Sequence, residues 1–246
     1  MIIAATQTIP KKQNTQENLE DHYRLVNLAA DHGVQLIVFP EMSLTGYERE
    51  KASELYFIEN DSRLDKLRNL ANTRKITILA GAPILLESDL YIGMFILEPQ
   101  KAERIYTKQY LHDGEEISFT PGRNHGLLIN LDDEIISVAI CADITNPAHP
   151  ARASALDTTL YIASIFYTPN GISKGISDLQ TYATVFNMNV LMSNFGGTSY
   201  GMESAGKSTF WNNDGTVVGG FEGTGEGLLI VEKENKSWKS TILKTS

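Results

Sequence analysis

A chain of 246 residues can bury a substantial core, as one large domain or two small ones. Its 42% hydrophobic and 21% charged residues are ordinary for a globular protein, and a net charge of −9 without any Lys/Arg cluster weighs against nonspecific nucleic-acid binding. A single cysteine excludes an internal disulfide and fits a reducing compartment.

The opening MIIAATQTIP is strand-like and lacks the charged-then-apolar build of a signal peptide. No apolar stretch approaches the roughly 20 residues of a transmembrane helix. The expectation is a cytoplasmic protein without a membrane partner.

Residues 1–8 read as a first strand, ended by Pro10. Asn14 or Thr15 can cap a helix in which Leu19, Tyr23, Val26 and Ala30 recur at helical spacing, and Gly33 stops it. A strand over 34–39 (VQLIVF) follows, with Pro40 and Glu41 opening a loop. Leu64, Leu67 and Leu70 mark a second amphipathic helix, over 62–74. ITILAGAPILL, LYIGMFILE and ERIYTKQYL then read as sheet, and the polar, turn-rich 112–124 as an exposed functional or connecting loop.

Strands GLLINL and IISVAI come next, separated by Asp132-Asp133. A short helix around 151–156, the strand LYIASIF, a helix over 177–188 and the buried strand VLMSNFGG follow. STFW, TVVGG and GLLIVEKE complete the pattern, with Asp214-Gly215 as a hairpin turn. With no repeat, low-complexity tract or linker, the expectation is one domain over 1–246, a layered α/β fold with helices outside and sheets inside.

Three polar residues stand at the ends of apolar runs: Glu41 after 34–39, Lys108 after 103–106 and Cys141 after 135–140. Ligand sites of α/β folds lie at strand C-termini, and these residue types supply a base, a fixed cation and a nucleophile. Each also has an ordinary explanation. A free cysteine packs as a small hydrophobe, Glu41 can mark a solvated strand end, and lysines commonly decorate edge strands.

Position speaks for chemistry. A thiol at a strand-to-turn junction is held rigidly yet can face a cleft, with following N–H groups aimed at an oxyanion. The apolar MSLTGY after Glu41 would desolvate its carboxylate and raise its pKa toward the range of a general base. Glu115 and Glu116 are near enough in sequence to keep Lys108 protonated.

Two rival constellations are weaker. His22 and His32 read as surface residues of the first helix and His149 as a loop residue, so a Cys–His pair has no known spacing behind it. The group His112, Asp113, Glu115, Glu116 and His125 lacks His-x-x-x-His or Cys-x-x-Cys spacing, so neither metal nor other cofactor is expected. The glycines of NFGGTSYG form neither a P-loop nor a dinucleotide fingerprint.

These motifs together resemble the nitrilase superfamily of carbon–nitrogen hydrolases. VFPEMSLTGY (38–47) resembles the stretch around the family's catalytic glutamate, YTKQYLHDGEEISFTPG (106–122) that around its lysine, and SVAICADITNP (137–147) its nucleophile motif. Weaker echoes in IIAATQT, VLMSNFGG and GKSTFWNNDGTVV extend the likeness over essentially the whole chain.

The resemblance implies a four-layer α-β-β-α sandwich that forms homodimers or larger assemblies. It implies a thioester mechanism in which Glu41 takes the proton of Cys141, while Lys108 and the backbone N–H of Ala142 hold the oxyanion. A further active-site glutamate, counted back from Phe119 and Gly122, falls best on Glu115, with Glu116 the near alternative.

The chain departs from the family at Ala142, where an aromatic residue is common. It departs again at Thr145-Asn146-Pro147, where an arginine often precedes Phe-Pro, and at Tyr182-Ala183, where Arg-Ala is common. Cys141-Ala142-Asp143 is similar to the amidase and carbamoylase branches rather than to the Cys-Trp-Glu of true nitrilases. The expected substrate is therefore a small linear amide or N-carbamoyl compound, with Tyr47 and Phe166 in the pocket wall. The alternatives are an acyltransferase using an amine acceptor, or a non-catalytic binding protein on the same fold.

Overall fold

A computed structural model describes residues 1–123, 125–235 and 237–245. Asn124, the last residue of the expected polar loop, lies outside the described residues.

The first sheet has the order β13-β12-β1-β2-β3-β4-β5. It comprises β1 (Ile2–Gln7), β2 (Leu36–Val38), β3 (Thr77–Leu86), β4 (Asp89–Leu97), β5 (Arg104–Thr107), β12 (Gly227–Glu234) and β13 (Ser237–Lys244). The second has the order β11-β10-β9-β8-β7-β6. Its strands are β6 (Leu128–Leu131), β7 (Glu134–Ile140), β8 (Leu160–Ser164), β9 (Asn189–Ser193), β10 (Thr209–Trp211) and β11 (Val217–Gly220). β1, β2 and β3 are parallel, as are β7, β8 and β9, and the remaining pairings are antiparallel.

Side-chain alternation builds the layers. In the first sheet Ile3, Ala5, Leu36, Val38 and Leu79 face the second sheet, sharing a core with Ile136, Val138, Ile162 and Met192. Their neighbours Ala4, Ile37, Ile78 and Ala80 pack instead with Leu19, Val26, Leu67 and Ala71. Those four belong to α1 (Thr15–Asp31) and, past a four-residue α2 (Ala52–Leu55), to α3 (Asp65–Arg74). On the far side α4 (Ala148–Ala155) and α5 (Ile172–Phe186) bury Ala153, Leu179 and Ala183. The result is the four-layer α-β-β-α sandwich.

Local signals account for the boundaries. Asn14 caps α1, its side chain accepting from the N–H of Glu17, and Gly33 at φ +75 leaves the helix. The segment expected as a helix over 62–74 splits into a 3-10 turn, Ser62–Leu64, and α3. Three helix-derived expectations shift: the later helix runs over Ile172–Phe186, α4 starts at Ala148, and His149 lies in that helix rather than in a loop.

His22 is buried, not on the surface as its polar type suggested. Its position is i+3 from Leu19 and i−4 from Val26, which puts it on the inward face. Its ring stacks on Phe39 with centroids 3.9 Å apart, and its Nε2 lies 3.0 Å from Ser43 Oγ. Burial pushes its pKa down to about 4. Among the described residues no helix is long and apolar enough to cross a membrane.

Candidate active site

Glu41 follows β2 in a loop pressed onto β3. Phe39 N donates to Leu79 O at 2.9 Å and Leu44 N to Gly81 O at 3.0 Å. A Cβ at position 81 would meet Met42 N at 2.6 Å and Pro40 O at 2.9 Å, so glycine is what allows this close approach. From the other side α1 supports the loop through His22 on Ser43 and Asn18 Nδ2 donating to Leu44 O at 3.3 Å.

Lys108 follows β5. Its N–H donates to Ile92 O at 2.8 Å, and its carbonyl accepts from Gly122 N at 2.7 Å. A Cβ at Gly122 would meet Thr107 Oγ1 at 2.3 Å, which explains the glycine closing the Phe-x-Pro-Gly stretch. Glu115 lies between, at the start of a 3-10 turn, Glu115–Ile117. The expected exposed loop is therefore partly folded inward, because Glu115, Phe119 and Gly122 are buried.

Cys141 leaves β7 with φ +39, a strained conformation for a non-glycine residue, and opens a 3-10 turn, Cys141–Thr145. Its Sγ lies 3.9 Å from the carbonyl oxygen of Phe166. Ala142 is the second residue of that turn, where N–H groups have no partner within the helix. Tyr182, which stands where the family often has arginine, donates its hydroxyl to Ile144 O at 2.8 Å and steadies the same turn.

The three strand ends converge. Lys108 Nζ lies 2.7 Å from Glu41 Oε1 and 2.8 Å from each oxygen of Glu115, and all three side chains have 0% exposure. Glu115 also accepts from the Tyr47 hydroxyl and, at 2.8 Å, from His112 N. Of the adjacent glutamates it is Glu115 that meets Lys108, while Glu116 is exposed.

Burial raises the pKa of Glu41 to about 7, even though Lys108 pulls it down. Its Oε2 has no hydrogen-bond partner among the described residues, while the Cys141 thiol is near enough to favour its charged form. Burial pushes the Cys141 thiol well up, and the charge of Glu41 adds to this. The pKa of Lys108 is pushed up as well. Burial opposes its charge, but Glu41, the Cys141 thiolate form and Glu115 outweigh that and hold it protonated. Burial likewise opposes ionisation of Glu115, yet Lys108 and the bonds from Tyr47 and His112 bring its pKa below the usual value.

Tyr47 and Phe166 both stand at this site. Their ring centroids are 5.3 Å apart, and the aromatic cluster extends to Phe195 and Tyr200. Tyr167 belongs here too, its phenol pushed up by burial and by Cys141. Sequence reasoning missed Tyr167 and Tyr200, and also Asp143. The Asp143 carboxylate accepts from Gln109 N at 2.8 Å, Tyr110 N at 2.9 Å and Ile140 N at 2.9 Å, joining the lysine segment to the nucleophile turn. The Cys-x-Asp spacing was the available signal.

Among the described residues no histidine bonds Cys141, and no three His, Cys, Asp or Glu side chains are placed to hold a metal. His125 bonds Gln109 Oε1 at 2.7 Å instead.

A family model described as carbon-nitrogen hydrolase matches residues 2–242. The chain belongs to the carbon–nitrogen hydrolase family. By sequence, a glutamine-dependent NAD(+) synthetase of Thermotoga maritima is 27% identical over 181 residues, and a nitrilase of Pyrococcus abyssi is 27% identical over 158. These matches take in 71% and 63% of this chain, but only 31% and 60% of the relatives, so the chain spans less than two thirds of their length. In structure the NitN amidase of Nesterenkonia sp. AN1 matches with a TM-score of 0.86 at 22% identity, covering 96% of this chain and 93% of that one. A form of that amidase with acrylamide added at its active-site cysteine also gives 0.86 at 22% identity, over 95% and 93% of the two chains. This likeness establishes the family's sandwich fold.

Proposed function

We propose that the chain hydrolyses the carbon–nitrogen bond of a small linear amide or N-carbamoyl compound through a thioester on Cys141. One observation carries this reading: a buried lysine bridging two buried carboxylates beside the sole thiol, at three strand ends.

Glu41, with a pKa near neutrality and a free Oε2, takes the thiol proton as sulfur attacks the substrate carbonyl carbon. Lys108 neutralises the oxyanion together with the N–H of Ala142. One Lys108 N–H shared between the two Glu115 oxygens leaves another for the oxyanion. Collapse of the tetrahedral intermediate breaks the C–N bond, and Glu41 returns the proton to the departing ammonia or amine. Water, deprotonated by Glu41, then attacks the thioester and releases the acid and the thiol. Glu115 keeps Lys108 charged and oriented.

Near-complete burial of Glu41, Lys108, Glu115 and Cys141 supports a small acyl group, walled by Tyr47 and Phe166. The Nesterenkonia amidase, which has been captured in complex with butyramide, supports an amide rather than a nitrile. The same reading takes the protein to be cytoplasmic and a homodimer or larger assembly, with no nucleic-acid or membrane partner.

The test is ammonia release by purified protein against short amides, ω-amides, N-carbamoyl compounds and nitriles, with mass spectrometry for an acyl adduct on Cys141. Cys141→Ala is expected to stay folded and lose turnover. Near wild-type rates in that variant on every amide the native protein cleaves would sink the proposal.

A further inference from the structure

Behind the site runs a buried hydrogen-bond chain that the hydrolytic steps do not use: Tyr161, His149, Tyr106 and Asp143, all at most 5% exposed. Tyr161 OH lies 2.7 Å from His149 Nδ1, His149 Nε2 lies 2.8 Å from Tyr106 OH, and Tyr106 OH lies 2.7 Å from Asp143 Oδ2.

The direction of this chain follows from counting protons. Asp143 receives Gln109 N and Tyr110 N on Oδ1, and Ile140 N and Tyr106 OH on Oδ2. Four donors fill the four lone-pair sites of a carboxylate. The single hydroxyl hydrogen of Tyr106 is thus committed to Asp143, and its oxygen can only accept from its other neighbours. Gln109 Nε2, at 3.2 Å, is one such donor, and His149 must be the other. His149 therefore carries its proton on Nε2. Burial favours the neutral ring, which leaves Nδ1 as a lone pair for the Tyr161 hydroxyl.

We propose that His149 is a positioning residue: by donating from Nε2 it keeps the Tyr106 hydroxyl turned onto Asp143, and through Asp143 it sets Lys108 against Cys141. The carboxylate grips the two N–H groups directly after Lys108 and the one directly before Cys141. The positive φ of Cys141 persists only where its surroundings over-determine it. With the proton on Nδ1 instead, the Tyr106 hydrogen would swing to Nε2 and Asp143 would lose a donor.

The proposal rests on Cys141 as the nucleophile, so its test pairs turnover with a readout that needs no turnover, the rate of Cys141 alkylation by acrylamide. The Nε2 of His149→Gln can still reach Tyr106 as a donor, whereas the shorter His149→Asn matches only the Nδ1 position. His149→Gln is expected to keep kcat and the alkylation rate within about 3-fold of native. His149→Asn is expected to lower both by about 10- to 100-fold with KM nearly unchanged, as displacement of reacting groups by ~1 Å does. Tyr161→Phe removes only a hydroxyl and serves if His149→Asn does not fold; it is expected to lower both rates by about 3- to 10-fold.

Equal losses in His149→Gln and His149→Asn, tracking a fall in melting temperature, would reduce His149 to packing and overturn the proposal. So would native rates in both His149→Asn and Tyr161→Phe. Should native protein cleave no amide, the hydrolase reading fails, while the alkylation ratios still decide the role of His149.

Discussion

The hydroxyl of Ser164, at the end of β8, donates to the carbonyl oxygen of Phe39 at 2.8 Å, linking the second sheet to the first two residues before Glu41. Ser193 does the same from β9, donating to Thr6 O at 2.7 Å. Both serines are fully buried between the sheets. Such bonds fix how the sheets sit on each other, and so where the strand ends meet.

Ser164→Ala leaves the Phe39 carbonyl without that donor. It is expected to lower unfolding free energy by about 1–3 kcal/mol, the cost of an orphaned buried acceptor. Denaturant titration reads this loss. A kcat lowered about tenfold with KM little changed would show Glu41 displaced as well.

Acidity at Glu41 sets the pH behaviour. A general base must be ionised, so kcat/KM should rise with pH through about 7. Stability runs the opposite way. The folded pKa lies above the usual 4.5, so the proton-linked stabilisation is complete below 4.5 and lost as pH rises to about 7. Native protein should therefore gain on Glu41→Gln by on the order of 3 kcal/mol between about pH 8 and about pH 5, measured by urea unfolding. A difference that is constant with pH would contradict the assignment.

Lys108→Met removes the cation and leaves Glu41 and Glu115 buried together. The expected cost is about 3–5 kcal/mol at neutral pH, with activity lost. Acid should restore part of the stability, because both carboxylates can then take protons. Melting temperatures across pH would show it.

Glu115 and Glu116 make a sharp pair. Glu115→Gln weakens the grip on Lys108 and should lower kcat by about 100-fold. Glu116→Gln, at an exposed position, should leave kcat/KM within about 2-fold of native. Steady-state kinetics of the two variants separate them.

Much of this is legible in the sequence. The apolar runs ending at Glu41, Lys108 and Cys141 pointed to residues that the fold brings together, and helical spacing outlined α1 and α3. His22 was legible in principle, since its register with Leu19 and Val26 points inward, but a polar residue type masked it. Asp143 was harder, because its partners Gln109, Tyr110 and Tyr106 lie 33 to 37 residues away. Gly81 gave no local sign that a loop 40 residues earlier presses on its backbone.

The sequence by itself determined which residues turn inward along each strand and helix, because side-chain periodicity is a local property of the backbone. It also determined the chemical types that arrive at the strand ends. Only the tertiary structure decided that Glu115 rather than Glu116 meets Lys108, and that a lysine and a glutamate 67 residues apart share one buried site. The near-neutral acidity of Glu41 belongs to the same level. It arises from excluding water around converged charges, a property that no stretch of chain possesses until the two sheets close over it.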